Sequence, residues 1–157
     1  MIACLAAATI LLAAILGIHA HQVASPVAAD SRVDSVHITR NPGLFVAPPI
    51  DRVITDRRTA EILAGDIEAL PPFPSGTMFC PIDYGTTYNL AFSSGWSAVV
   101  SVRGCQQVAI SDGRELWAWG RQKLFSDLGN ALGLAPDELV LQPCAPAAAG
   151  ERCYPQP

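Results

Sequence analysis

The side chains that could do chemistry in this chain are its five cysteines, three histidines and three tryptophans, and their spacing points to cross-links and contact surfaces rather than to catalysis. Nucleophilic hydrolysis sets a Ser or Cys against a base that a third group holds in place. The exported chain would keep only His21 and His37, and both precede the patterned part of the sequence. Ser93 and Ser94 read as turn residues, and no Gly-x-Ser-x-Gly elbow is present. Asp83, the carboxylate beside Cys80, reads as the turn former of an Asp-Tyr-Gly segment. Asp66 and Glu68 lie two apart on a predicted helix, so they do not share a face as a pair of acids acting together would. No catalytic residue, cofactor or metal site is expected. The sharpest enzymatic alternative is that cleavage after Ala20 exposes His21, which could chelate copper through its amine and imidazole as copper-dependent polysaccharide monooxygenases do. His37 would have to be the second ligand, and no surrounding motif supports it.

Residues 2 to 18 (IACLAAATILLAAILGI) carry no charge, and every Lys, Arg, Asp and Glu lies at Asp30 or later. A short apolar run followed by small residues reads as an export segment, with cleavage after Ala20 or after Ala29, or as a retained signal anchor attaching the protein to the membrane. Seventeen apolar residues are marginal for spanning a bilayer. An oxidising compartment turns the remaining cysteines, Cys80, Cys105, Cys144 and Cys153, toward bridges. Four cysteines allow three pairings, and sequence alone does not choose. Geometry favours Cys80–Cys105, which flanks a hairpin, and Cys144–Cys153, which closes a short Pro/Ala/Gly loop. On the loop-entropy model the first bridge contributes roughly 3–4 kcal/mol. Zinc is the competing use of four cysteines, but no Cys-x-x-Cys spacing is present.

The elements that would position these groups read as one domain. Residues 21–50 have no sustained period and residues 143–157 are rich in Pro and Ala, which leaves about 51–142 as the folded part. A net charge of −4 and a pI near 5.2, with a single lysine, give no basic patch for nucleic acid. Arg52 to Thr55 reads as a short strand. A helix follows over about 56–70, capped by Thr55 or Asp56, with Ala60, Leu63, Ala64, Ile67 and Leu70 on one stripe and Pro71-Pro72 as its stop.

The strands after it are registered by their turns. A three-residue Ser93-Ser94-Gly95 loop pairs Leu90 with Ala98 and Tyr88 with Val100, keeping one face apolar; the turn at Arg103-Gly104-Cys105 pairs Val100 with Val108 and Ala98 with Ile110. A two-residue Asp112-Gly113 turn would align Val108 with Trp117 and Gln106 with Trp119, placing both tryptophans on the core face. Leu124, Leu128, Ala131 and Leu132 predict a second helix from about Arg121 to Gly133, and Glu138 to Cys144 a final strand. The expected fold is α+β: a four- to five-stranded antiparallel meander with one or two helices packed on one face.

A helix ending in LPPFPSG, then FCPIDYG, YNLAF, GC and QQVAIS with DG, resembles a family of small secreted or membrane-anchored proteins of high-GC Gram-positive bacteria to which no activity attaches. The resemblance covers about residues 53–134, with Cys80-Pro81-x-Asp83-x-Gly85 and Gly104-Cys105 its most specific part. It implies export, a Cys80–Cys105 bridge and an N-terminal helix on the sheet. The expected function is therefore an exported, non-enzymatic interaction or structural protein, working on an extracellular protein or a cell-wall component. Two more specific readings stand beside it. Trp117 and Trp119 share a face by spacing and, if exposed, form a platform for sugar rings. A secreted, acidic, bridged α+β chain with a Pro-rich cysteine loop at 143–155 also looks loosely similar to bacterial subtilisin inhibitors, although the cysteine spacing differs.

Overall fold

The structure is a computed structural model that describes residues 32–141. Six strands, β1 (Val36–Asn41), β2 (Asp51–Ile54), β3 (Thr87–Phe92), β4 (Ser97–Ser101), β5 (Gln107–Ile110) and β6 (Glu115–Trp117), form one antiparallel sheet in the order β2-β1-β3-β4-β5-β6. Helices α1 (Arg57–Glu68), α2 (Gln122–Leu132) and α3 (Pro136–Val140) complete an α+β fold. The sheet is one or two strands wider than expected, because β1 lies between β2 and β3, inside the segment read as a linker. Only Val36 and Ile38 of β1 alternate inward, too short a period-2 signal to stand out among the Pro, Ala and Ser around it. Its partners on both sides make it a strand: Ile38 sits opposite Arg52 on one flank and Leu90 on the other.

The inner face carries Ile38, Tyr88, Leu90, Ala98, Val100 and Val108, all fully buried. The helices cover it with Ala60, Leu63, Ala64 and Ile67 of α1 and Leu124, Leu128 and Leu132 of α2, the stripes that the sequence predicts. Asp56 caps α1, its carboxylate accepting the Thr59 amide at 2.9 Å, and the Thr59 hydroxyl and amide bonds hold that carboxyl below the ordinary carboxylate range. Gly133, left-handed at φ 66°, ends α2.

Two turns follow the expected register and one does not. Phe92 donates to the Trp96 carbonyl at 3.0 Å around a Ser93-Ser94-Gly95 loop with Gly95 at φ 94°, and Leu90 sits opposite Ala98 as expected. Val100 likewise faces Val108 across the Arg103-Gly104-Cys105 turn. At the last hairpin Ile110 donates to the Arg114 carbonyl at 2.9 Å, so the loop is the three residues Ser111-Asp112-Gly113, and Val108 pairs with Leu116 rather than with Trp117. This one-residue slip turns every side chain of β6 over. Leu116 and Ala118 enter the core, while Trp117 faces away from the helices and Trp119, in the turn that follows, is exposed. The Asp112 carboxylate accepts the Arg114 amide at 3.0 Å, a local bond that favours the longer loop over the bare Asp-Gly turn.

The segment read as a final strand is instead the short helix α3, with Pro136 in its first turn and the Glu138 carboxylate accepting the Ala135 amide at 2.9 Å. Its last carbonyls have side-chain donors from the sheet end: Arg40 to Glu138 at 3.3 Å, the Tyr88 hydroxyl to Leu139 at 2.9 Å and Arg103 to Val140 at 3.2 Å. Leu139 and Leu141 are buried beneath them. Among the described residues no helix is long and apolar enough to cross a membrane, and the expected export segment at 1–20 lies outside those residues.

Candidate binding surfaces

Cys80 and Cys105 form a disulfide, with Cα atoms 4.9 Å apart, a bond compatible with an oxidising, extracellular setting. It ties the long connection between α1 and β3 to the β4–β5 turn. The chain is also anchored on the other side of residues 81–82. Asp83 accepts the Gly85 amide at 2.8 Å and packs on Gly104, where a Cβ would stand 2.8 Å from its Oδ2. The Tyr84 ring lies 5.1 Å from the Phe45 ring and 5.5 Å from the Arg103 guanidinium, and its carbonyl accepts the Leu44 amide at 2.8 Å. Asp83 is thus a turn former, as the sequence suggests. Between and beside these anchors Phe79 is 100% exposed and Ile82 70%. Residues 41–50 and 70–82 themselves contain no acidic or basic side chain. The sequence reading passed over Phe79 and Ile82. Their signal was two large apolar residues outside any periodic pattern, on either side of a bridged cysteine and a proline.

A second surface is the sheet face turned away from the helices. Its strand residues include Thr39, Asn89, Ser97, Ser101 and Gln107, and none is Lys or Arg, because Arg40 and Arg52 sit on the helix side and reach α3 and the Leu132 carbonyl. His37, on this face, accepts or donates at 2.6 Å with Asp51, so the structure gives it a carboxylate as its neighbour. Among the described residues no three His, Cys, Asp or Glu side chains stand close enough to hold a metal ion; His21 lies outside them. At the β6 margin Pro71 accepts the Trp117 amide at 2.9 Å and Phe73 donates to Glu115 at 2.8 Å, so residues 71–73 add a further rung to the sheet edge. By that register Phe73 joins Trp117 on the outer face. The ladder runs on to Ala118, which donates to Gln106 at 2.9 Å, and Trp119 beyond it is 47% exposed.

One polar cluster joins the two long helices. Lys123 donates to Asp66 at 2.6 Å and to Asp127 at 2.7 Å. Burial pushes the Asp66 carboxyl up, more than Lys123 can offset, and the Asp127 carboxyl adds to the rise; Asp127 itself is held down by Lys123. Asp66 and Glu68 diverge as their spacing requires, Glu68 pairing with Arg114 of the β5–β6 turn at 3.0 Å. The cluster reads as an inter-helix tie. Cys144, Cys153 and the cysteine loop at 143–155 lie outside the described residues.

Comparison with known proteins adds no relative: no family model, no curated protein and no solved structure matches the chain.

Proposed function

We propose that this is an exported interaction protein without catalysis of its own, and that it docks a protein partner through the bridged loop at residues 79–83. The export segment and the resemblance to small secreted or membrane-anchored proteins of high-GC Gram-positive bacteria support the setting. The observation that carries the reading is the exposure of Ile82 between the fixed points at Cys80 and Asp83, with Phe79 exposed directly before the bridged cysteine. Apolar side chains held out of the core in a fixed geometry bind with little ordering cost, because the loop is shaped before the partner arrives.

Of the two specific readings that the sequence offers, proteinase inhibition is the one this loop supports, although at residues 79–83 rather than at the C-terminal cysteine loop. An inhibitor must present an exposed peptide that enters a cleft and resists release after cleavage, and bridging beside that peptide meets the second requirement by keeping its ends together. The test is titration of the full chain against subtilisin-like, chymotrypsin-like and elastase-like serine proteinases. The expected result is stoichiometric inhibition of at least one, weakened about tenfold or more by Phe79→Ser with Ile82→Ser, a loss of about 1.4 kcal/mol or more. Rapid cleavage within 79–83 with no inhibition of any of the three would defeat the inhibitor reading.

A further inference from the structure

We infer that the outer face of the sheet at its β6 margin is a second binding site, built for a neutral carbohydrate chain. It is a different surface from the bridged loop and does not depend on it. Three features of the face limit what it can hold. Its strand residues carry hydroxyl and amide groups but no Lys or Arg, so it offers nothing to phosphate or to a polyanion. Its large apolar side chains are few and scattered, Phe73, Trp117 and Trp119 at the β6 margin, Val99 inboard and Val53 on β2, so it lacks the continuous apolar area that a lipid surface or a permanent protein interface requires. Its edge is already occupied by residues 71–73, so an added peptide strand has no free ladder there.

A polyhydroxylated ring meets each of these conditions. Its C–H faces stack on indole, and its hydroxyls both donate to and accept from Gln, Ser and carboxylate groups. Trp117 stands on the outer face at the end of β6, and Trp119, two residues on in the turn closed by the Arg121 amide on the Ala118 carbonyl at 2.9 Å, is 47% exposed. Gln107 lies directly opposite Trp117, and Glu115 lies next along the outer face of β6.

The test is acrylamide quenching of tryptophan fluorescence in the full chain, with chitohexaose and cellohexaose as probes, and co-sedimentation with insoluble chitin. At least one probe should protect the fluorescence. Trp119→Ala, which removes an exposed ring, should weaken that binding at least tenfold while the melting temperature holds; Gln107→Ala should weaken it with the fold equally intact. The proposal is overturned if none of the probes protects, or if protection is undiminished in Trp119→Ala. It is also overturned if protection rises with protein concentration in the absence of glycan, which would assign the face to a second copy of the chain.

Discussion

Gly43 shows how closely the two loops at the bridged end are fitted. It adopts φ +64°, and a Cβ there would stand 2.1 Å from the Tyr84 carbonyl oxygen and 2.5 Å from the Gly85 carbonyl carbon. Those are backbone atoms, and the same carbonyl accepts the Leu44 amide, so neither side can yield without losing that bond. Gly95 has φ +94° but nothing within 4 Å of its missing Cβ. The two glycines therefore separate backbone strain from collision. Gly95→Ala should cost roughly 1–2 kcal/mol for a left-handed residue alone, and Gly43→Ala about 3 kcal/mol or more, since displacement of the Tyr84 loop is added. Urea melts at unchanged slope would measure the difference; equal midpoints would mean that the 43–45 and 84–85 segments do not hold each other.

At the scale of elements the decisive feature is the β5–β6 hairpin, where one residue of loop length selects which half of β6 meets the helices. Leu116 is 5% exposed on the inner face, whereas Trp117 looks outward. Leu116→Ala should destabilise by about 2–5 kcal/mol, as a buried leucine does, and Trp117→Ala by less than half as much. Thermal or chemical melting of the two variants reads the register directly, and the reverse ranking would restore the two-residue turn. The helices were the most legible elements. Ala60, Leu63, Ala64 and Ile67 keep a helical period over three turns, and Asp56 can serve α1 as a cap without help from the rest of the fold. The residues around Leu139 offered no such period. Five residues of α3 are helical because Arg40, Tyr88 and Arg103 donate to its carbonyls, and those donors come from β1, β3 and the β4–β5 turn, 37 to 98 residues away in sequence.

For the whole molecule, the Cys80–Cys105 bridge closes 25 residues of chain, and with them the entry to β3, onto the centre of the sheet. Mass spectrometry of unreduced, digested protein should recover these two cysteines as a linked pair. Cys105→Ser should lower stability by about 3 kcal/mol, as removing a constraint of this length from the unfolded chain does. Because Phe79 and Ile82 are exposed and take no part in the core, the variant should keep its helices and strands by circular dichroism while the 79–83 segment gains sensitivity to proteolysis. A loss of the whole fold would mean that the bridge holds the core as well as the loop.

The amino-acid sequence by itself determined the α+β class, both long helices with their buried stripes and the pairing of β3, β4 and β5, and it favoured Cys80 with Cys105 among three possible pairings on hairpin geometry. Each of these rests on short-range information: a 3.6-residue period, a capping carboxylate, a turn glycine, or two cysteines flanking one hairpin. Tertiary structure alone decided the rest. It recruited Val36 to Asn41 as a central strand because neighbours were available on both sides, and it turned Glu138 to Leu141 into a helix because distant side chains could take its carbonyls. It also placed Trp117 and Trp119 outside the core. An Asp-Gly pair fits a two-residue turn and a three-residue loop alike, and only the core space that Leu116 and Ala118 fill distinguishes them. The exposure of Phe79 and Ile82 was hidden for the same reason: an apolar residue outside a repeating pattern carries no mark of which side of the surface it will occupy until the rest of the chain has packed.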